Sequence, residues 1–216
     1  MKNKLVMVKL LLILLAIVGF ILLILKARPR QGSHDDFVDV AQYASRLHRR
    51  QDYDGKPYSY HLSKVAEIAK KYWDYYGDDP KLHTALWMAA WLHDSIEDVP
   101  SYTYHDLLKY SMDFFRGDKL YGEMVANIVY ACTNEKGKTR EERANDKYYQ
   151  GIRDTGYAPF IKACDRLANM QYAFSIRSSM ATAYRKELSE FLQKIEAEDN
   201  PIPPELKQEL CRFLED

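Results

Sequence analysis

From Phe37 onward apolar residues recur every three or four positions. Phe37, Val40, Ala41, Ala44 and Leu47 form one stripe, and Leu62, Val65, Ala66 and Ala69 form the next. That spacing is the period of an amphipathic α-helix, and no sustained alternation of the strand type appears after His34. The pattern predicts helices near 35–50, 61–77, 80–94, 103–115, 119–132, 139–151, 157–175, 181–196 and 203–215. Turn chemistry separates them, at Asp54-Gly55-Lys56-Pro57, Gly77-Asp78-Asp79-Pro80, Val99-Pro100-Ser101, Gly137, Gly156 and Asn200-Pro201 through Pro204. The body is therefore expected to be an all-α bundle without internal repeats. Residues 31–196 would form the main domain, and 197–216 a C-terminal helix packed on its core.

The amino terminus follows another pattern. From Leu5 to Leu25 the chain is apolar except for Lys9, and at ~1.5 Å per residue such a helix would match a hydrocarbon layer about 30 Å thick. We expect residues 1–30 to be an N-terminal transmembrane helix and its flank, with Lys26 to Ser33 as a linker. A cleaved signal peptide is the competing reading. The apolar run is long for one, and Leu25-Lys26-Ala27 before Arg28-Pro29 is a poor cleavage site. Lys2, Lys4 and Lys9 balance Lys26, Arg28 and Arg30, so charge leaves the orientation open.

Composition narrows the function. The formal charge is zero, but residues 1–30 carry six Lys or Arg and no acid, so the rest holds 25 basic against 31 acidic side chains, a net of −6. A body of that sign lacks the cationic field that nucleic-acid polymers require. Three cysteines, Cys132, Cys164 and Cys211, without CxxC spacing suggest neither a disulfide framework nor a thiolate zinc site. Many tyrosines crowd residues 53–76, where packing with hydroxyls in reach of water is the plain reading.

The chemistry concentrates in Ala85 to Asp98, ALWMAAWLHDSIED. A helix this apolar must be buried, and it delivers His93, Asp94, Glu97 and Asp98 together. Burying carboxylates is costly without a counter-charge, which a divalent cation would supply. Otherwise the helix surfaces after Leu92 and its acids are solvated. The dipeptide His-Asp is weak evidence alone, since His34-Asp35 lies beside the linker and His105-Asp106 at a helix start with a capping box from Thr103. His61 opens a helix after Pro57-Tyr58-Ser59-Tyr60, and Asp165 interrupts the apolar run FIKACDRLANM. Singly, His61 reads as a core histidine and Asp165 as a partner of Lys162 or Arg166. Together with His93 and Asp94 they make a two-histidine, two-carboxylate set suited to Mn, Fe, Co or Zn.

The order His61, His93-Asp94, Asp165 resembles that of HD-superfamily metal-dependent phosphohydrolases. Five local signatures are similar, more narrowly, to the hydrolase domain of RelA/SpoT-type alarmone enzymes and their small stand-alone relatives. They are His48-x-x-Gln51, Gly55-Lys56-Pro57-Tyr58-x-x-His61, Leu92-His93-Asp94-x-x-Glu97-Asp98, Val125 to Thr133, and Lys162-x-x-Asp165-Arg166-Leu167-x-Asn169-Met170. The resemblance spans about residues 36 to 175. It implies an all-helical HD-domain bundle, one Mn ion held by His61, His93, Asp94 and Asp165, and release of pyrophosphate from the 3′ position of guanosine tetra- or pentaphosphate. Glu97 and Asp98 match the acidic pair that positions or activates the attacking water, and Asn169 matches an asparagine of the nucleotide pocket. Glu97, four residues after His93, would share its helical face.

Two departures bear on the substrate. Where the family brings an Arg that stacks on guanine, this chain reads Gln51-Asp52-Tyr53-Asp54, with Arg50 in place of a Gly, so Arg50 and Tyr53 become the candidate substrate contacts. The family's Asn-Met-Arg run becomes Asn169-Met170-Gln171. The expected function is therefore (p)ppGpp 3′-pyrophosphohydrolase activity at a cytoplasmic membrane, with the catalytic body on the cytosolic side where such a substrate would be. Another nucleotide or phosphorylated dinucleotide is the second enzyme reading, and a non-catalytic nucleotide sensor the third.

Overall fold

A computed structural model describes residues 13–19, 34–134, 139, 142 and 145–215. The chain divides into two compact units, residues 1–30 and 31–216. Within the first, residues 13–19 are helical with exposed apolar side chains such as Leu14 and Leu15. The rest of the expected 5–25 span lies outside the described residues, among which no helix is long and apolar enough to cross a membrane.

The second unit is a helical bundle. Helix α1 (His34–Leu47) buries Val40 and Ala44 and leads into a two-stranded hairpin, β1 (Asp52–Tyr53) and β2 (Lys56–Pro57). Asp52 pairs with Pro57 and Tyr53 with Lys56, antiparallel. The turn residues Asp54 and Gly55 both have positive φ, 53° and 78°, the conformation that an Asp-Gly pair favours in a type I′ hairpin. The hairpin is too short to register as alternation in the sequence.

Helix α2 (Ser59–Tyr72) ends in a 3-10 turn over Trp73–Tyr76, and α3 (Pro80–Leu92) follows. Asp79 caps α3 by accepting from the Lys81 N–H at 2.9 Å, and Pro80 sits in its first turn, where a missing N–H costs nothing. Nine of its residues are buried, so α3 is the bundle's central rod. The one-turn α4 (Ser95–Asp98) and α5 (Tyr104–Phe114) come next, the latter closed by a Thr103/Asp106 capping box. Helix α6 is Lys119–Cys132, α7 Asp146–Asp154, α8 Ala158–Ser175, α9 Ser179–Ile195 and α10 Pro204–Glu215.

Helix α3 packs on α1, α2, α6 and α8, while α8 also packs on α2, α6, α7, α9 and α10. The two buried rods α3 and α8 thus meet α2 at the heart of the unit, and these three elements carry the candidate chemistry. Of the segment expected over 139–151, Glu142 is helical, residues 140, 141, 143 and 144 lie outside the described residues, and α7 begins at Asp146, where the Asn145 side chain accepts from the Tyr148 N–H and caps it. One expected helix is corrected. The segment expected over 80–94 stops at Leu92, and a turn at His93 and Asp94 redirects the chain into α4.

Candidate metal centre

Three elements far apart in sequence bring four side chains to one point. His61 lies in the first turn of α2, His93 and Asp94 in the turn that ends α3, and Asp165 midway along α8. His93 Nε2 is 3.0 Å from Asp94 Oδ2 and 3.6 Å from Asp165 Oδ1. His61 Nε2 is 3.6 Å from Asp94 Oδ2 and 3.4 Å from Asp165 Oδ1. The two Nε2 atoms are 3.3 Å apart. Both imidazoles are almost fully buried, at 3% exposure for His61 and 1% for His93.

This arrangement fits a divalent cation. The Nδ1–H of His93 donates to the Ala90 carbonyl at 2.9 Å, which turns the Nε2 lone pair toward the centre. Two imidazole nitrogens facing each other at hydrogen-bond distance, flanked by two carboxylates, require a proton or a metal between them. Among the described residues, ligand atoms of His61, His93 and Asp165 all lie within 4.8 Å of one another, and Asp94 adds an oxygen beside both imidazoles. The donor set is mixed nitrogen and oxygen, which suits Mn, Fe, Co or Zn.

Electrostatics agree. Burial alone would lower the His93 pKa, but the Asp94 and Asp165 carboxylates outweigh it and raise the imidazole to about 10. Burial would likewise raise both acids. Asp165 is held well below the ordinary carboxylate range by Lys162 and both imidazoles, and Asp94 by His93 and His61. Lys162 Nζ sits 3.0 Å from Asp165 Oδ2. Arg166, the alternative partner from sequence, turns away to Glu187 at 3.3 Å.

The remaining predicted residues divide. Asn169 donates to Asp165 Oδ1 at 2.5 Å and accepts from the Tyr53 hydroxyl at 3.0 Å. The Tyr53 ring stacks on His61, with centroids 4.9 Å apart and planes at 14°. Tyr53 and Asn169 therefore form one wall of the centre. Arg50 is exposed in the turn after α1, and no hydrogen bond or ion pair joins it to the centre among the described residues. Glu97 is exposed and faces the start of the segment after α6, where Asn134 donates to it through its backbone N–H at 3.0 Å and its side chain at 2.9 Å. The single helix expected to carry both His93 and Glu97 is interrupted: α3 stops at Leu92, and Glu97 belongs to α4. Asp98 stays close: the Tyr58 hydroxyl lies 2.7 Å from Asp94 Oδ2 and 2.8 Å from Asp98 Oδ2. Burial, then the Asp94 charge, raise the Asp98 pKa.

The sequence places Tyr58 in the motif that leads to His61 but assigns it no role beyond packing. Its place three residues before His61, on the same face of a helix start, was the available signal. It also left Asn134 unassigned, for which the chain offers no local pattern.

The HD domain family model matches residues 58–170, from Tyr58 through the last turns of α8. Over 138 residues the chain is 27% identical to guanosine-3′,5′-bis(diphosphate) 3′-pyrophosphohydrolase MESH1 of Drosophila melanogaster, covering 62% of this chain and 68% of that protein. The same enzyme of Danio rerio is 26% identical over 137 residues, with coverage of 62% and 67%. A solved structure described as a metazoan ortholog of SpoT that hydrolyses ppGpp superposes with a TM-score of 0.59 at 23% identity, over 85% of this chain and 96% of its own. The matched stretch covers more than half the chain and holds all four converging side chains, and this chain belongs to the HD-domain family.

Proposed function

We propose that this protein is a metal-dependent phosphohydrolase that removes pyrophosphate from the 3′ position of a guanosine tetra- or pentaphosphate. The observation that carries the reading is the convergence of His61, His93, Asp94 and Asp165 from three separate elements. The curated relatives named for that reaction support the substrate class. A divalent cation, for which Mn is our choice, would supply Lewis-acid polarisation of a phosphate oxygen and lower the pKa of water at the centre.

The chain's own residues do the rest. The four ligands fix the cation, and Lys162 offsets excess negative charge beside Asp165. Asp98, at the edge of the cluster, is the carboxylate placed to take a proton from an attacking water. Glu97, one residue before Asp98, is held by Asn134. Tyr53 offers an aromatic face beside His61 on which a base can stack.

A second reading, another phosphorylated nucleotide, is favoured by the hairpin. Asp52 and Asp54 occupy the segment where the resemblance leads one to expect a cation, and the hairpin's Lys56 is engaged over Tyr60 at 4.0 Å. The deciding experiment incubates the full chain in detergent with Mn and a panel of phosphorylated nucleotides. Release of pyrophosphate from guanosine tetraphosphate that stops on chelation supports the first reading; turnover of a different nucleotide alone supports the second. We further place the apolar segment 5–25 in the cytoplasmic membrane as an anchor, with the body on the cytosolic side.

A further inference from the structure

The His48-x-x-Gln51 motif has no role in the chemistry above, yet it is built into the wall of the site. His48 is 1% exposed, and its ring lies parallel to that of Tyr58, with centroids 4.9 Å apart and planes at 7°. Its Nδ1 bonds the Gln51 side-chain oxygen, and Gln51 Nε2 donates to the backbone carbonyl of Asp98. His48 Nε2 is buried without a hydrogen-bond partner among the described residues, a cost that an apolar residue at this place would avoid. The imidazole is needed for both of its other contacts, the flat face on Tyr58 and the bond to Gln51.

These contacts converge on one group. The Tyr58 phenol has a single hydrogen and sits at 2.7 and 2.8 Å from carboxylate oxygens of Asp94 and Asp98. Two carboxylates this close to one atom repel each other unless a donor lies between them. Tyr58 is that donor, and its ring cannot swing away because His48 stacks against it. Gln51 meanwhile pins the main chain that carries Asp98. The side chain of Asp98 is thus tied to a metal ligand from one end and its backbone to the α1 terminus from the other.

We infer that Tyr58 is a positioning residue, which, with His48 and Gln51 behind it, fixes the Asp98 carboxylate at a set distance from the ligand Asp94. The inference rests on the function proposed above only for what Asp98 does once placed. Tyr58→Phe keeps the ring and its stack on His48 and removes only the hydroxyl. In that variant kcat falls roughly 10–100-fold, as for other groups that orient a metal site from outside the ligand shell, while KM and Mn affinity measured by calorimetry stay within about twofold. The loss disappears in an Asp98→Asn background, because Tyr58 acts through Asp98. Gln51→Met, which removes the donor to the Asp98 carbonyl, shifts kcat in the same direction by less.

Crystal structures of the Mn-loaded wild type and Tyr58→Phe provide a readout free of turnover. The Asp98 side chain departs from Asp94 in the variant and not in the wild type. Unchanged kcat in Tyr58→Phe, an additive loss with Asp98→Asn, or an Asp98 that stays in place without the hydroxyl would each overturn the inference. A wild type inactive on every nucleotide tested would sink the proposed function instead, leaving the crystallographic comparison to decide the role of Tyr58.

Discussion

His93 shows how much a single position is made to carry. Its Nδ1–H is committed to the Ala90 carbonyl, its ring is 1% exposed, and its Nε2 faces one imidazole and two carboxylates. A metal ligand must be neutral imidazole, so cation and proton compete for the same nitrogen. The carboxylates that raise the His93 pKa to about 10 make that competition steep. The sign follows: the proton is favoured as pH falls, so Mn affinity drops from about pH 10 downward, and Mn uptake near neutrality releases protons. Calorimetry in two buffers of different ionisation enthalpy measures that release directly; identical heats in both would refute it. Asp165→Asn replaces an anionic oxygen donor with a neutral amide oxygen and leaves Lys162 without its counter-charge. It should cost at least tenfold in Mn affinity, read by metal content after dialysis. The four converging side chains were legible in the sequence because ionisable groups in apolar runs are conspicuous. The bridging role of Tyr58 was not, since a tyrosine among tyrosines carries no such contrast and its partners lie 36 and 40 residues away.

Between elements, what holds the site is the close approach of helices around it. Ser111 on α5 donates to the Gly122 carbonyl on α6 at 2.7 Å, and a Cβ at Gly122 would lie 2.6 Å from Met112 Sδ and 3.2 Å from Met112 Cα. The sulfur can swing aside but the backbone atom cannot. Gly122→Ala gains helix propensity of about 1 kcal/mol and loses about 1–3 kcal/mol to overpacking. We expect a net fall in Tm of roughly 2–4 °C by calorimetry, with Mn affinity unaltered; a rise in Tm would show that α5 and α6 can separate freely. The C-terminal helix is fastened differently. Glu209 on α10 accepts from Lys71 at 2.6 Å, from the Tyr72 hydroxyl, and from Gln171 at 3.0 Å, joining α10 to α2 and α8. Burial would raise the Glu209 pKa, but Lys71 and Tyr72 outweigh it and lower it. A carboxyl depressed on folding stabilises above its unfolded value, about 4.3, and that contribution is lost as pH falls through the lower folded value. The stability gap between wild type and Glu209→Gln, from urea titrations, should therefore be full at pH 7 and close as acid passes that window. Helix periods made these elements legible, and α6 begins and ends at the residues predicted. The break of α3 at Leu92 was not legible, because His93, Asp94 and Ser95 include no Gly or Pro to announce a turn.

At the scale of the whole molecule, charge is separated along the chain: six basic residues flank or interrupt the apolar amino terminus, and the rest carries −6. A negative body has little attraction of its own for an anionic membrane surface. If it resides there, the apolar segment must hold it, by burial in hydrocarbon and not by electrostatics. The two mechanisms respond oppositely to salt, since screening weakens surface attraction and leaves hydrocarbon burial intact. The full chain should therefore sediment with membranes through high-salt and alkaline washes and come free only in detergent, whereas residues 31–216, one compact unit, should stay in the supernatant. Release of the full chain by salt alone would refute the anchor. A mature protein lacking the apolar segment by intact mass would establish the signal-peptide reading instead. Orientation is a separate question, because the basic residues on the two sides balance. Protease added to right-side-out and inverted vesicles settles it: a cytosolic body is digested only in the inverted ones. The opposite result would put the site on the face where no intracellular alarmone reaches it, and would count against the proposed substrate as well as the topology.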